Sequence, residues 1–293
     1  MRRFLALALG CLAVACVAPH AEVEARAEQQ APSSPPQVQP ASATFVFGGE
    51  LTQGGWIRGE VPPGTVSARL GETAITFDGS RRFFAAFDRD AGPEATLVAT
   101  MADGRTLEIP LSVSPRAWNI ENINASPTAN VPSEEFLARR KPELERIAAA
   151  RQIETGSEGW LQTFIWPATG RISGRFGSQR VYRGEPGSYH SGIDVAGGTG
   201  TTYVAPADGI VVLAAQSPYT LEGNLLIIDH GMGLSSAFLH SSELLVHEGE
   251  AVKQGQPIGR IGATGRATGP HLHWGLVWRG ARLDPLLFTG PMP

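Results

Sequence analysis

Glycine and proline punctuate this chain so often that many turns and short strands are favoured over long helices. Among 293 residues there are 35 glycines and 22 prolines, which end apolar runs by supplying positive φ or a locked φ. Hydrophobic residues make up 42% and charged residues 18%, which suits a globular chain rather than a disordered or multiply spanning one. The length allows one large domain or two ordinary ones. The formal net charge of −4 lacks the concentrated basic field of a nucleic-acid binder, so no nucleic-acid partner is expected.

Residues 1–18 read as an export signal. Arg2 and Arg3 form its basic start, and the apolar run 4–17 is too short for a stable membrane-spanning helix. Both cysteines, Cys11 and Cys16, lie in this segment, so the remainder offers no disulfide framework and no thiolate ligand or nucleophile. Leu12-Ala13-Val14-Ala15-Cys16 looks like a lipoprotein signal in which Cys16 is lipidated, although Ala13 stands where a larger aliphatic residue is usual. The alternative is ordinary cleavage nearby, with Cys16 a small apolar residue of the signal. Residues 19–43 are rich in Ala, Pro, Gln and Ser and read as an extended tether. Together these segments predict the cell envelope or periplasm, with an outer-membrane lipid anchor through Cys16 on the first reading.

A mainly β fold is expected beyond the tether. Residues 44–115 carry β-like runs at 44–47, 56–61, 74–77, 83–87, 96–100 and 106–113, a spacing that predicts a small antiparallel sandwich. Asp78-Gly79 and Asp103-Gly104 are dipeptides of the kind that close hairpins. Residues 116–159 read as a helical connector. Ser133 is its N-cap, Glu134 and Glu135 occupy the first turn, and Pro142 kinks the helix or starts a second one. Residues 160–293 return to β, with strands expected at 204–205, 209–214, 225–228, 235–240, 257–261 and 271–278. The run 225–228 is apolar on both faces and should lie mid-sheet.

Chemistry concentrates in that last region. Four of the seven histidines fall into three clusters. His190-Ser191-Gly192-Ile193-Asp194 sets an imidazole and a carboxylate four residues apart, with Gly192 free to bend the chain between them. His271-Leu272-His273 places two imidazoles on one face of a strand, and His240 ends another strand. Two histidines and one aspartate satisfy a catalytic zinc that keeps one position open, and two histidines are left over. A spare imidazole titrates near neutral pH and can act as base; no His-Glu-x-x-His helix supplies a glutamate for that role. Singly these signals are weak: a His-x-x-x-Asp is more often a solvated turn, and a lone histidine more often a core or edge residue. His230 and His247 are expected to be exposed. Trp274 and Trp278 are expected on the histidine face, either lining a groove or packing at its end. The glycines of 262–269 lack the Gly-Lys-[Ser/Thr] of a phosphate loop and read as a groove wall.

The order of the motifs is more specific than any one of them. His190-Ser-Gly-Ile-Asp194, Ala205-Pro206-Ala207-Asp208-Gly209, Gly223-Asn224, Ile228-Asp229-His230-Gly231, Phe238-Leu239-His240 and Gly269-Pro270-His271-Leu272-His273-Trp274 follow one another. The series closely resembles the catalytic domain of the lysostaphin-type (LytM-like) zinc endopeptidases over residues 166–287, and residues 44–113 are more loosely similar to the β-domain that precedes it in some exported members. The resemblance implies an antiparallel β-sheet groove domain and one zinc held by His190, Asp194 and His273. It also implies His240 and His271 as catalytic histidines, and peptidoglycan stem peptides as substrate. Asn224 matches a polar position near the substrate groove. A tyrosine that helps hold the oxyanion is Tyr182 or Tyr189, with Tyr182 the first candidate. Phe238 stands where many members have tyrosine, a change expected to alter groove polarity. The competing implication is a non-catalytic wall-binding activator of a cell-wall amidase, since some relatives keep the fold and lose ligands. This chain retains all three ligands and both histidines. A regulatory protein partner is compatible with either reading, as is an N-terminal sandwich that targets or blocks the groove.

Overall fold

The computed structural model describes residues 44–126, 133–215 and 217–293; the signal, the tether and Cys16 lie outside them. In the N-terminal part, β1 (Val46–Gly49), β2 (Trp56–Glu60), β3 (Thr65–Leu70), β4 (Thr73–Ile75), β5 (Arg82–Ala86), β6 (Glu94–Met101) and β7 (Thr106–Ser112) form two sheets, β1-β2-β5 and β4-β3-β6-β7. Asp103-Gly104 closes the β6–β7 hairpin, with Gly104 at φ +85° and the Met101 N–H donating to the Arg105 carbonyl at 2.8 Å. Ile57, Phe83 and Ala85 from one sheet and Leu97 and Ala99 from the other have no exposed surface and share one core.

The connector is only partly helical. Strand β8 (Ile120–Ile123) comes first, and helix α1 (Glu134–Ala150) follows. Ser133 caps α1 by accepting the Phe136 N–H at 3.1 Å. Pro142 lies inside this one helix and neither ends nor restarts it. Ile147 and Ala150 anchor its buried face.

The C-terminal part contains β9 (Ile172–Gly174), β10 (Gln179–Tyr182), β11 (Glu185–Tyr189), β12 (Ile193–Ala196), β13 (Thr202–Val204), β14 (Gly209–Ala214), β15 (Asn224–Gly231), β16 (Leu234–Ser241), β17 (Glu243–Leu244), β18 (Ala251–Val252), β19 (Pro257–Arg260), β20 (His271–Trp278) and β21 (Ala281–Leu283). Its main sheet runs β18-β14-β15-β16-β20-β12-β9 with β21 beside β20, all antiparallel. Alternation sorts the side chains. Leu226, Ile228, Phe238, Leu272, Trp274 and Leu276 face the large core, whereas Leu225, Ile227 and Ala237 pack against Ile147 and Ala150 of α1. Residues 225–228 are therefore covered on both faces, as their pattern predicts. Strand β8 joins this half by pairing parallel to β10, Gln179 opposite Ile120.

Two expectations are corrected by this packing. Trp274 (0% exposed) and Trp278 (2%) lie in the large core; even-numbered positions of β20 point away from His271 and His273. His230 is fully buried and not on an exposed turn. Its Nδ1–H donates to the Asp208 carbonyl at 2.7 Å, and its Nε2 accepts from the Ser236 hydroxyl at 2.7 Å. Burial pushes the His230 imidazole down to about 4, while an unfolded chain takes up that proton near 6.5. Between those values the unfolded state binds more protons, so stability falls as pH falls. From pH 7 to pH 5 the wild-type protein should lose about 2 kcal/mol more than His230→Gln, measured by urea unfolding. Equal losses would refute this. His247, by contrast, is exposed as expected, its side chain 80% accessible beside Glu250.

Candidate metal centre

Strand register brings the candidate ligands together. Asp194 on β12 lies directly opposite His273 on β20, and Ala196 opposite His271. Both Asp194 and His273 alternate with core residues, Ile193 and Val195 on one strand and Leu272 and Trp274 on the other, so they project from the opposite face. His190 enters from the end of β11, its N–H donating to the Ser178 carbonyl at 2.8 Å.

Three atoms converge. His190 Nε2 is 3.0 Å from Asp194 Oδ1 and 3.1 Å from His273 Nδ1, and His273 Nδ1 is 2.9 Å from the same oxygen. The His190 Nδ1–H donates to the Arg175 carbonyl at 3.1 Å, which leaves Nε2 bare in the neutral ring. Two ring nitrogens and a carboxylate oxygen aimed at one point repel unless a proton or a cation lies between them. A tetrahedral zinc with bonds of about 2.0–2.1 Å sets its ligands roughly 3.3 Å apart, so the donor set fits that ion with slight expansion. Burial opposes charge on Asp194, but hydrogen bonds from His190 and His273 and their charges outweigh it, holding the carboxyl far below the usual carboxylate range. Burial likewise opposes charge on His190, yet Asp194 lifts that imidazole above its ordinary value. Burial dominates at His273 and lowers it, which favours the neutral form a ligand needs.

Glycine is required here for space. A Cβ on Gly192 would stand 2.5 Å from the Trp274 carbonyl oxygen and 2.7 Å from His273 Nε2, and one on Gly174 would collide with the Asp194 carboxylate. The role read for Gly192 from sequence, bending the chain, gives way to close approach. Gly192→Ala should displace His273 and weaken zinc binding about 10- to 100-fold, the scale of losing a ligand's support. Competition with a chromophoric chelator measures this, and unchanged affinity would refute it.

His240 reaches the same face by a backbone irregularity. Simple alternation from Phe238 would bury it in the core. Instead Leu226 pairs with Phe238 and Asn224 with Ser241, so three steps on β16 oppose two on β15. This is a bulge, and His240 takes φ +65° within it. The phase then flips: Ser241 lies in the core, bonded to the Tyr203 hydroxyl at 2.7 Å, and the His240 ring sits 5.0 Å from His271 and 6.4 Å from His273. The His240 Nδ1–H donates to the Thr264 carbonyl at 2.8 Å and the His271 Nδ1–H to the Gly269 carbonyl at 2.8 Å. Main-chain carbonyls thus leave Nε2 of each ring unprotonated in its neutral form. His271 Nε2 lies 3.7 Å from Asp194 Oδ1. Burial lowers His240, as do the charges of His271 and His273, against the Thr264 bond.

Asn224 opens β15. Its Nδ2 donates to the Ser241 carbonyl at 2.9 Å, its N–H donates to Thr264 Oγ1 at 2.9 Å, and its Oδ1 is buried without a protein partner. Tyr182 and Tyr189 both line a cavity of about 820 Å³ that also contains His190 and Asp194. Tyr189 is braced by Arg89 and Arg282, whose guanidinium carbons lie 4.8 and 5.6 Å from its ring centre. Phe238 is fully buried and stacks on Tyr203 at 5.4 Å; it does not reach the groove, so the expected change in groove polarity is corrected. The roles of Arg175, Thr264 and Gly269 are not legible in the sequence because they act through carbonyls that every residue has. Asn119 and Glu121, from the segment leading into and along β8, also line the cavity, and no local pattern announced them.

Comparison with known proteins follows the same region. Residues 188–285 match the model of Peptidase family M23. The peptidoglycan DD-endopeptidase ShyA of Vibrio cholerae is 40% identical over 126 residues, 42% of this chain and 28% of that protein. The murein hydrolase activator NlpD of Escherichia coli is 36% identical over 128 residues, 44% of this chain and 31% of that protein. The chain spans less than a third of the length of these curated relatives. A crystal structure described as a peptidase M23 from Pseudomonas aeruginosa aligns with TM-score 0.63 at 28% identity, covering 82% of this chain and 96% of that one.

Proposed function

We propose that the protein, whose residues 188–285 match the model of Peptidase family M23, is a zinc-dependent endopeptidase of the cell envelope that hydrolyses peptide cross-links of peptidoglycan. The supporting observation is the convergence of His190 Nε2, Asp194 Oδ1 and His273 Nδ1 within 3.1 Å of one another, with His240 and His271 beside them. A bound zinc would polarise the scissile carbonyl and make water acidic enough to attack near neutral pH. His240 and His271 are held by carbonyls at Nδ1. The Nε2 of one ring takes a proton from the attacking water and returns it to the departing amide nitrogen. While it holds that proton, the Nε2–H of that ring can stabilise the developing oxyanion. Tyr182 is assigned to the substrate from its place on the cavity wall. Asn224 is assigned to the groove edge, where it also braces Thr264 and hence His240. Direct cross-links between D-alanine and diaminopimelate are the proposed target, and lipidation at Cys16 the proposed anchor.

The likeness to a murein hydrolase activator supports a second reading, in which the chain binds the wall and activates an amidase. One experiment separates the two. Sacculi incubated with the purified full-length protein should release un-cross-linked muropeptides with no amidase present, and EDTA should stop the release. Release only on adding an amidase, insensitive to chelation of this protein, would establish the activator instead.

A further inference from the structure

On the sheet face covered by α1, beside the metal cluster, lies a second cavity of about 170 Å³. His273, Ser191 and Gly275 contribute to its wall, and three guanidinium groups, those of Arg140, Arg151 and Arg282, also line it. Arg140 is neutralised by Glu222 at 2.6 Å and Glu143 at 3.0 Å. Among the described residues, neither Arg151 nor Arg282 has a carboxylate partner in an ion pair. The Asp88 carboxylate accepts the Arg282 backbone N–H at 2.8 Å, and the Arg282 guanidinium lies over the Tyr189 ring.

Arg151 and Arg282 are both exposed to solvent on the wall of this cavity, so a substrate can reach them, and their two positive charges favour a shared anion. Guanidinium groups pair best with planar carboxylates, which accept two parallel N–H bonds. When a cross-link is made on the amine of an amino-acid centre, the carbon that bears the departing nitrogen keeps its own carboxylate. A negative charge then lies within one carbon of the bond that breaks, and a groove holding that bond at His273 must accommodate it. Resting on the endopeptidase reading, we infer that Arg151 and Arg282 form a carboxylate subsite for the free α-carboxylate beside the scissile amide.

The test compares cross-linked muropeptide dimers whose diaminopimelate carboxylate is free or amidated, using the zinc-loaded full-length protein. The wild type should prefer the free carboxylate by about 10- to 100-fold in kcat/KM, the worth of one charged hydrogen-bonded contact. The double variant Arg151→Gln/Arg282→Gln should lose that preference, cleaving the free and the amidated dimer equally well. Arg151→Lys/Arg282→Lys should restore part of it. A wild type indifferent to amidation, or a double Gln variant that keeps the preference, overturns the subsite. Should no form hydrolyse either dimer, calorimetric binding of the same two dimers decides. Binding that needs both the carboxylate and the arginines upholds the subsite while the endopeptidase reading fails, and binding indifferent to them overturns it.

Discussion

Asp194→Ala should leave a folded protein that neither retains zinc nor releases muropeptides. Asp194 Oδ1 is the atom shared by two of the three inter-ligand contacts of the candidate centre, 3.0 Å from His190 and 2.9 Å from His273. Its ionised form holds two imidazoles whose nitrogens would otherwise face each other at 3.1 Å. Removing it deletes one donor of three and the only negative charge among them. The carbonyl polarisation lost with the ion is worth several kcal/mol, so activity should fall by about 10³-fold or more. Metal analysis after dialysis and muropeptide chromatography read the two effects, and circular dichroism checks the fold. Asp194→Asn, which keeps shape but not charge, should bind zinc more weakly than wild type and more strongly than Asp194→Ala. Full activity in Asp194→Ala would remove the metal centre from the mechanism.

His240 and His271 should behave in the opposite way towards the metal. Neither belongs to the three-atom cluster, so His240→Asn and His271→Ala should retain zinc. Activity should fall about 10²- to 10⁴-fold in each, the usual worth of positioned proton transfer. Asparagine is the chosen replacement at position 240 because φ is +65° there, a region that asparagine tolerates and branched residues do not. If the two rings act as one unit, the double variant should lose little more than the worse single variant. Zinc loss in His240→Asn would show that the ring supports the cluster and does not serve the reaction. Retention of both zinc and activity would exclude it from catalysis.

Legibility in the sequence followed the source of each signal. Strand β20 spans His271–Trp278 as its apolar alternation predicts, and the Ser133 cap opens α1 where its side chain indicates. Strands β10 (Gln179–Tyr182) and β11 (Glu185–Tyr189) have no signature in the sequence. Their residues show no apolar alternation, and they are defined by pairing with each other and with β8. Strand β8 lay hidden in the expected helical connector for the same reason, since its partner is some 60 residues further along the chain. At His230 the Asp-His-Gly string looks like a turn, whereas in the fold it is the tail of a central strand, its polar atoms met by Asp208 and Ser236.

By itself the sequence determined the mainly β class and the position of the helix cap, and it pointed to His190, Asp194, His240, His271 and His273 as one candidate site through their order along the chain. The tertiary structure alone decided that Asp194 faces His273 in register, and that a bulge turns His240 out of the core. It also decided which carbonyls fix the rings, Arg175, Thr264 and Gly269. The physical reason is that alternation and capping are written in side chains a few residues apart. Register, bulges and carbonyl contacts depend on main-chain groups that every residue carries, and these meet only when distant strands pair.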